Sequence, residues 1–177
     1  MQNRLQILKD KKQMSRFFIS VNNVEKYIDG FVLDITKEFV LLRECVDFES
    51  KGLVIIEISN IIKLKQGKSQ KSFTRIFKLE KLTDCALSFD QIPLENYSEI
   101  FKAIKKKYKY AIVENAYNNE IDFCIGEIVR VNKASVSILY FDITGKVNKS
   151  PSTIPFKDII NIEFDSNYIN TFIKFLK

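Results

Sequence analysis

One pattern is written twice along the chain. Gly30-Phe31-Val32-Leu33-Asp34-Ile35, followed by Phe39-Val40-Leu41-Leu42, returns about 96 residues later as Gly126-Glu127-Ile128-Val129-Arg130-Val131, followed by Val136-Ser137-Ile138-Leu139. Beyond a variable loop, Ile56-Glu57-Ile58-Ser59-Asn60-Ile61-Ile62-Lys63-Leu64 answers Ile154-Pro155-Phe156-Lys157-Asp158-Ile159-Ile160-Asn161-Ile162. An internal repeat constrains the fold before any single residue does, because each copy must be a unit that folds in the same way. In 177 residues it implies two units of roughly 80 residues each.

The units read as strand-rich. Val32, Leu33 and Ile35 and then Phe39 to Leu42 are apolar runs split by Thr36-Lys37-Glu38, a pair of strands joined by a tight turn. The second copy repeats this around Asn132-Lys133, with Val136, Ile138 and Tyr140 alternating against Ser135, Ser137 and Leu139. Another strand precedes each block, Phe17 to Val21 with Tyr27-Ile28 and Tyr110 to Val113 with Phe123-Ile125. Gly30 and Gly126 then sit where a strand bends or bulges and a Cβ would crowd its neighbour. Two short strands follow Gly52 and Gly145, at 53–58 with 60–65 and at 152–156 with 158–164, so each copy has five. Solitary glycines such as Gly52, Gly67 and Gly145 are read as turn markers. From Pro93 to Lys109, Tyr97, Ile100, Phe101, Ile104 and Tyr108 form one apolar stripe of a helix, with Pro93 in its first turn. Asn167 to Leu176 repeats such a stripe, and Phe73, Ile76 and Phe77 mark a less regular one.

Five bent strands, a glycine opening the second and an Ile/Val-rich closing hairpin resemble the Sm-like (LSm) family. Gly30-Phe31-Val32, Gly126-Glu127-Ile128, Asn60-Ile61-Ile62 and Asp158-Ile159-Ile160 carry the resemblance, over residues ~17–65 and ~110–164. It implies a mainly β fold with added helices, two tandem five-stranded Sm-like or SH3-like barrels, each with a flanking helix. The expected boundaries are 1–83 for the first barrel and its C-terminal helix, 84–109 for a linker and amphipathic helix, and 110–177 for the second barrel and helix. RNA-binding members of the family carry an Asp and then an apolar-Asn pair at the turn after the second strand, and a basic-Gly step in the last hairpin. The matching positions here hold Thr36 with Phe39-Val40, and Asn132 with Ser135-Val136, and neither closing hairpin has the basic-Gly step. The family's base-reading pocket is therefore not carried over, and tandem copies with dissimilar edges do not suit a ring of identical subunits.

Composition removes most catalytic chemistry. The chain has no histidine, the commonest general base near neutral pH and the commonest metal ligand. Cys45, Cys85 and Cys124 are widely spaced and are read as reduced thiols, Cys45 and Cys124 as buried small side chains. Acidic groups such as Glu120, Asp122 and Glu127, or Asp158, Glu163 and Asp165, follow no metal-binding spacing and are read as solvated charges. No catalytic residue, metal or cofactor is expected. The N-terminal stretch lacks a signal-peptide core, and no apolar run approaches a membrane span, which points to a cytoplasmic protein without membrane contact.

Net charge is +6, and the excess lies in residues 1–82, the second half being neutral. Lys63, Lys65, Lys68, Lys71, Arg75 and Lys78 run from the last strand of the first copy into the following helix, with Phe73 and Phe77 between them. Such a ladder either neutralises phosphates, with aromatic rings stacking on bases, or is a solvated face that keeps an edge strand from aggregating. Duplication without a shared reactive site favours a non-catalytic interaction or regulatory protein, compatible with a bacterial regulatory or immunity role and binding a protein partner. Tyr27, Phe48, Tyr117 and Tyr140 are the candidate contact residues. RNA or single-stranded DNA binding through the basic half is the alternative.

Overall fold

The structure, a computed structural model, describes residues 1–176. The chain begins with helix α1 (Gln2–Asp10) and strands β1 (Met14–Val21), β2 (Val24–Ile35), β3 (Phe39–Val46) and β4 (Glu49–Glu57). A single 3-10 turn, Ile58–Asn60, leads to β5 (Ile61–Lys65), and helices α2 (Lys68–Leu79), α3 (Thr83–Leu87) and α4 (Tyr97–Lys107) follow. Strands β6 (Tyr110–Tyr117), β7 (Glu120–Val131), β8 (Ser135–Tyr140) and β9 (Ser152–Pro155), a second 3-10 turn at Phe156–Asp158, β10 (Ile159–Phe164), helix α5 (Asn167–Phe172) and a third 3-10 turn at Ile173–Phe175 complete it. No helix among the described residues is long and apolar enough to cross a membrane.

All ten strands belong to one open antiparallel sheet, in the order β5-β1-β2-β3-β4-β10-β6-β7-β8-β9. The two halves repeat one another in detail. β1 and β2 (14–21, 24–35) recur as β6 and β7 (110–117, 120–131), and β5-β1-β2-β3-β4 has its counterpart in β10-β6-β7-β8-β9. The β1/β2 hairpin turns at Asn22-Asn23 (φ 49° and 66°), and the β6/β7 hairpin turns at Asn118-Asn119 (φ 51° and 62°). Both central residues have positive φ, as the hairpin turn matching strand twist requires, and Asn tolerates that region. The pairing of β2 with β3 is interrupted between Val32 and Asp34, and that of β7 with β8 between Ile128 and Arg130. The glycine just before each bulge lies against a backbone carbonyl of the next strand, Gly30 on Arg43 and Gly126 on Leu139, where a Cβ has no room.

Each set of five strands contributes to a buried cluster of its own. In the first half Phe17 and Ile19, Ile28 and Val32, Val40 and Leu42, Val54 and Ile56, and Leu64 share one buried cluster, sealed by Leu5 and Leu8 of α1. In the second, Val113, Ile128, Ile138, Ile154 and Ile162 share another, sealed by Ile100, Phe101 and Ile104 of α4. Helix α4 thus stands before its strands as α1 stands before its own. Its N-cap is Asn96, whose side chain accepts the Glu99 N–H, so Pro93 precedes the helix instead of sitting in its first turn. On the outer face α2 packs Phe77 against Met14, Phe31 and Cys45, and α5 packs Ile169 against Ile112, Ile125 and Phe141.

Two expectations are changed by the sheet. The last two strands of each copy form no hairpin with each other: β5 pairs with β1, while β4 pairs with β3 on one side and β10 on the other. The 3-10 turn makes this possible by redirecting the chain between β4 and β5. Gly52 lies within β4, not in a turn; a Cβ there would meet the Cβ of Ser166 at 2.7 Å. That glycine allows the second half to close on the first.

The joint between halves is Ile162, Glu163 and Phe164 of β10 laid against Ile55, Val54 and Leu53 of β4. Leu53 and Ile55 belong to the second half's cluster, and Ala116 and Ile160 belong to the first half's. Arg43, itself buried, donates to the carbonyls of Ala86 and Ser88, and Thr36 Oγ1 donates to Leu94 O, fastening the connecting segment.

Candidate functional site

Two clefts open on the outer face of the sheet, each beside the helix that follows the strands of its half. The first, of about 410 Å³, is lined by Arg16, Tyr27, Asp29, Glu44, Gln70 and Phe73. The second, of about 660 Å³, lies across the joint and is lined by Glu44, Lys51, Ile112, Phe123, Glu163 and Tyr168, with Phe172 behind them. By the repeat, Arg16 corresponds to Ile112, Asp29 to Ile125, Tyr27 to Phe123 and Lys65 to Glu163, so the paired Arg16 and Asp29 of the first half are a pair of isoleucines in the second. Glu44 borders both.

In the first cleft Arg16, Asp29 and Gln70 satisfy one another. Arg16 is bidentate on Asp29, Nε to Oδ1 at 3.0 Å and Nη2 to Oδ2 at 2.6 Å, and its guanidinium lies 3.9 Å from the centre of the Tyr27 ring. Gln70 Nε2 also donates to Asp29 Oδ1, at 3.3 Å. The pairing holds Arg16 above its ordinary pKa, chiefly through the Asp29 hydrogen bond.

The cleft across the joint is furnished differently. Glu44 of β3 and Glu163 of β10 are partly buried, and neither makes an ion pair among the described residues. Burial, then the neighbouring Glu163 and Glu114 carboxylates, push Glu44 up to about 7 against the opposing pull of Lys26 and Lys51. Glu163 is also raised, first by burial, with Glu114 adding to the shift while Ser166 and Lys26 oppose it. The nearby cations are engaged elsewhere, Lys26 with Glu114 and Lys51 with Glu49 at 2.7 Å. Around this acidic corner the surface is apolar: Phe123 is 42% exposed and Tyr168 49%, and the patch continues past α5 to Ile143 (81%) and Phe175 (65%).

The sequence-derived contact residues separate into three places. Tyr27 lines the first cleft, and Phe48 sits beside it, stacked on Phe73 with ring centres 4.7 Å apart. Tyr140 borders the apolar patch at α5, whereas Tyr117 stands alone at the tip of the β6/β7 hairpin. The basic ladder is on the surface: Lys63, Lys65, Lys68, Lys71, Arg75 and Lys78 are all exposed on β5 and α2, and none of the eight ion pairs among the described residues includes one. The aromatic partners expected for it are elsewhere, because Phe77 is in the core and Phe73 is covered by Phe48. Phe18 and Tyr27 take that place, with Lys63 Nζ 5.6 Å from the Phe18 ring centre.

Cys45 and Cys124 are buried and free, and burial pushes each thiol up to about 12, so neither offers a thiolate near neutral pH. The side chain of Cys85 lies outside the described set. Among the described residues no three His, Cys, Asp or Glu side chains are grouped to hold a metal ion. Glu163, read from the sequence as a solvated charge, is instead partly buried, because β10 is laid against β4; its neighbour Glu44 was hidden from sequence reading, since the two are distant in sequence and only the β4/β10 pairing brings them into one cleft. No family model, curated protein or solved structure matches the chain.

Proposed function

We propose that the chain is a non-catalytic interaction protein of two Sm-like barrels fused edge to edge, which docks a protein partner on the outer face at the joint. The observation that carries this reading is the exposed apolar surface of Phe123, Tyr168, Ile143 and Phe175, continuous with the 660 Å³ cleft. Contiguous exposed aromatic and aliphatic side chains beside a cleft are the anchors expected of a docking surface. Support for the barrels comes from the repeated strand order and from buried clusters that each draw on five strands. The test is affinity capture from the native cell with nuclease present, comparing the wild type with a Phe123→Asp/Tyr168→Ser variant. A partner retained by the wild type and lost by the variant supports the reading; identical captured sets for both proteins refute it.

A second reading, single-stranded nucleic acid on the β5/α2 face, is favoured by the unpaired cations together with Phe18 and Tyr27. Titration of labelled oligonucleotides at rising salt tests it. Micromolar binding that weakens steeply with salt and is lost in Lys63→Glu/Lys65→Glu supports it, and no binding at low salt rejects it.

A further inference from the structure

We infer that the free edge of β5 takes an added strand, an extended segment of a partner protein in which acidic residues alternate with aliphatic ones, paired antiparallel to Ile61–Lys65. This edge lies on the first half, away from the joint, and the inference does not depend on the docking reading above.

The second half shows the same strand with its edge occupied. β10 repeats β5 against the strand behind it: Ile61 pairs with Ile19 as Ile159 does with Asn115, Lys63 with Phe18 as Asn161 with Glu114, and Leu64 with Phe17 as Ile162 with Val113, with the register shift at the same place. On its other side β10 takes β4 antiparallel, Ile162 opposite Ile55 and Phe164 opposite Leu53, whereas β5 ends the sheet. One side chain records the difference. Ile160 is 1% exposed and belongs to the core of the first half, while its counterpart Ile62 is 54% exposed. An aliphatic side chain left open beside an unpaired backbone edge is the surface that an arriving strand covers.

Charge selects the occupant. The positions of Asn161 and Glu163 on β10 are Lys63 and Lys65 on β5, both exposed and neither in an ion pair among the described residues. Arg4 of α1 adds a third cation, donating to the Leu64 carbonyl at 3.2 Å. Residues directly opposite in an antiparallel pair share a face, so acids two apart on the added strand meet Lys63 and Lys65, and the aliphatic residues between and beside them meet Leu64 and Ile62. A second copy of the chain does not supply such a strand: its other free edge, β9 (Ser152–Pro155), has no acid and holds Pro155, with Pro151 just before it. Nucleic acid would use the cations but leave Ile62 and the edge N–H and C=O groups unserved.

Selection of random decapeptides on the immobilised full chain tests the inference, with a Lys63→Glu/Lys65→Glu variant used to remove peptides that bind elsewhere. Peptides with Asp or Glu at alternating positions among Val and Ile are expected. By fluorescence anisotropy their binding should weaken about tenfold or more on Ile62→Asp or on K63E/K65E. Methylating alternate backbone nitrogens of the peptide should abolish binding, since it removes ladder donors and keeps every charge. Amide hydrogen exchange at 61–65 should slow when the peptide is added. The substituted positions are exposed, and far-ultraviolet circular dichroism verifies the fold of each variant. Phe123→Asp/Tyr168→Ser, at the joint, should leave peptide binding unchanged, so failure here is distinct from failure of the docking reading. Recovery of no peptide, or only of peptides that K63E/K65E also binds, would overturn the inference, as would binding that survives backbone methylation. Oligothymidylate that slows exchange at 61–65 when no acidic peptide does so would overturn it in favour of nucleic acid on this edge.

Discussion

Glu44 shows how one partly buried residue can be costly to the fold. Burial, and then the neighbouring Glu163 carboxylate, push its carboxyl up to about 7 in the folded chain, above the ordinary 4.5. A folded-state pKa raised in this way means the native state holds the proton more tightly, so stability falls as pH rises from the unfolded value through 7. Glu44→Gln is therefore expected to stabilise the protein at pH 8 by on the order of 2 kcal/mol and to be nearly neutral at pH 4, read by urea denaturation at the two pH values. The glycines give a matched pair of tests. Gly30→Ala and Gly126→Ala each press a methyl group into a backbone carbonyl, on Arg43 and Leu139, and each should cost about 2 kcal/mol or more. Their crowding was legible in the sequence because a glycine recurs before an apolar run in both copies. The location of Phe73 and Phe77 was not: spacing puts them on one helix face, but burial depends on what the helix meets.

Among the elements, the edges of the sheet decide assembly. The inner joint uses Leu53, Val54 and Ile55 against Ile162, Glu163 and Phe164. The corresponding outer edges carry Pro151-Ser152-Thr153 before the 3-10 turn at Phe156 and Leu64-Lys65-Gln66 after the one at Ile58. Proline removes a ladder donor and lysine places charge on the edge, both of which discourage another strand from adding. The chain is expected to sediment as a monomer at micromolar concentration. Replacing Pro151-Ser152-Thr153 by Leu-Val-Ile should produce concentration-dependent self-association, visible by analytical ultracentrifugation; a variant that stays monomeric would show that the edge sequence does not control assembly. Helix α1 escaped the sequence reading because only Leu5 and Leu8 are buried on it, too short a stripe to stand out from a charged N-terminal stretch.

At the scale of the molecule, the two halves share core residues across the joint, so they should unfold together. Leu53 is fully buried, sits in β4 of the first half and packs in the cluster of the second. Leu53→Ala should cost about 3 kcal/mol and lower the stability of both halves in one transition. Far-ultraviolet circular dichroism and tyrosine fluorescence would then report the same midpoint. Two separated midpoints would mean that the joint transmits little energy between halves.

By itself, the sequence determined the repeat, most of the strands, and the helices around Phe101 and Ile169, because alternation and helical spacing are local properties written within a few residues. It also determined that the cations of β5 and α2 face solvent, since a lysine is rarely buried without a partner. Only the tertiary structure decided that β4 pairs with β10 and that the two sets of strands become one sheet. The same pairing set Glu44 beside Glu163 below Phe123. Edge pairing is chosen by whichever strand of complementary shape comes within reach, and the residues it joins are more than a hundred positions apart in the chain. The cleft at the joint is a consequence of that choice, so no motif announced it.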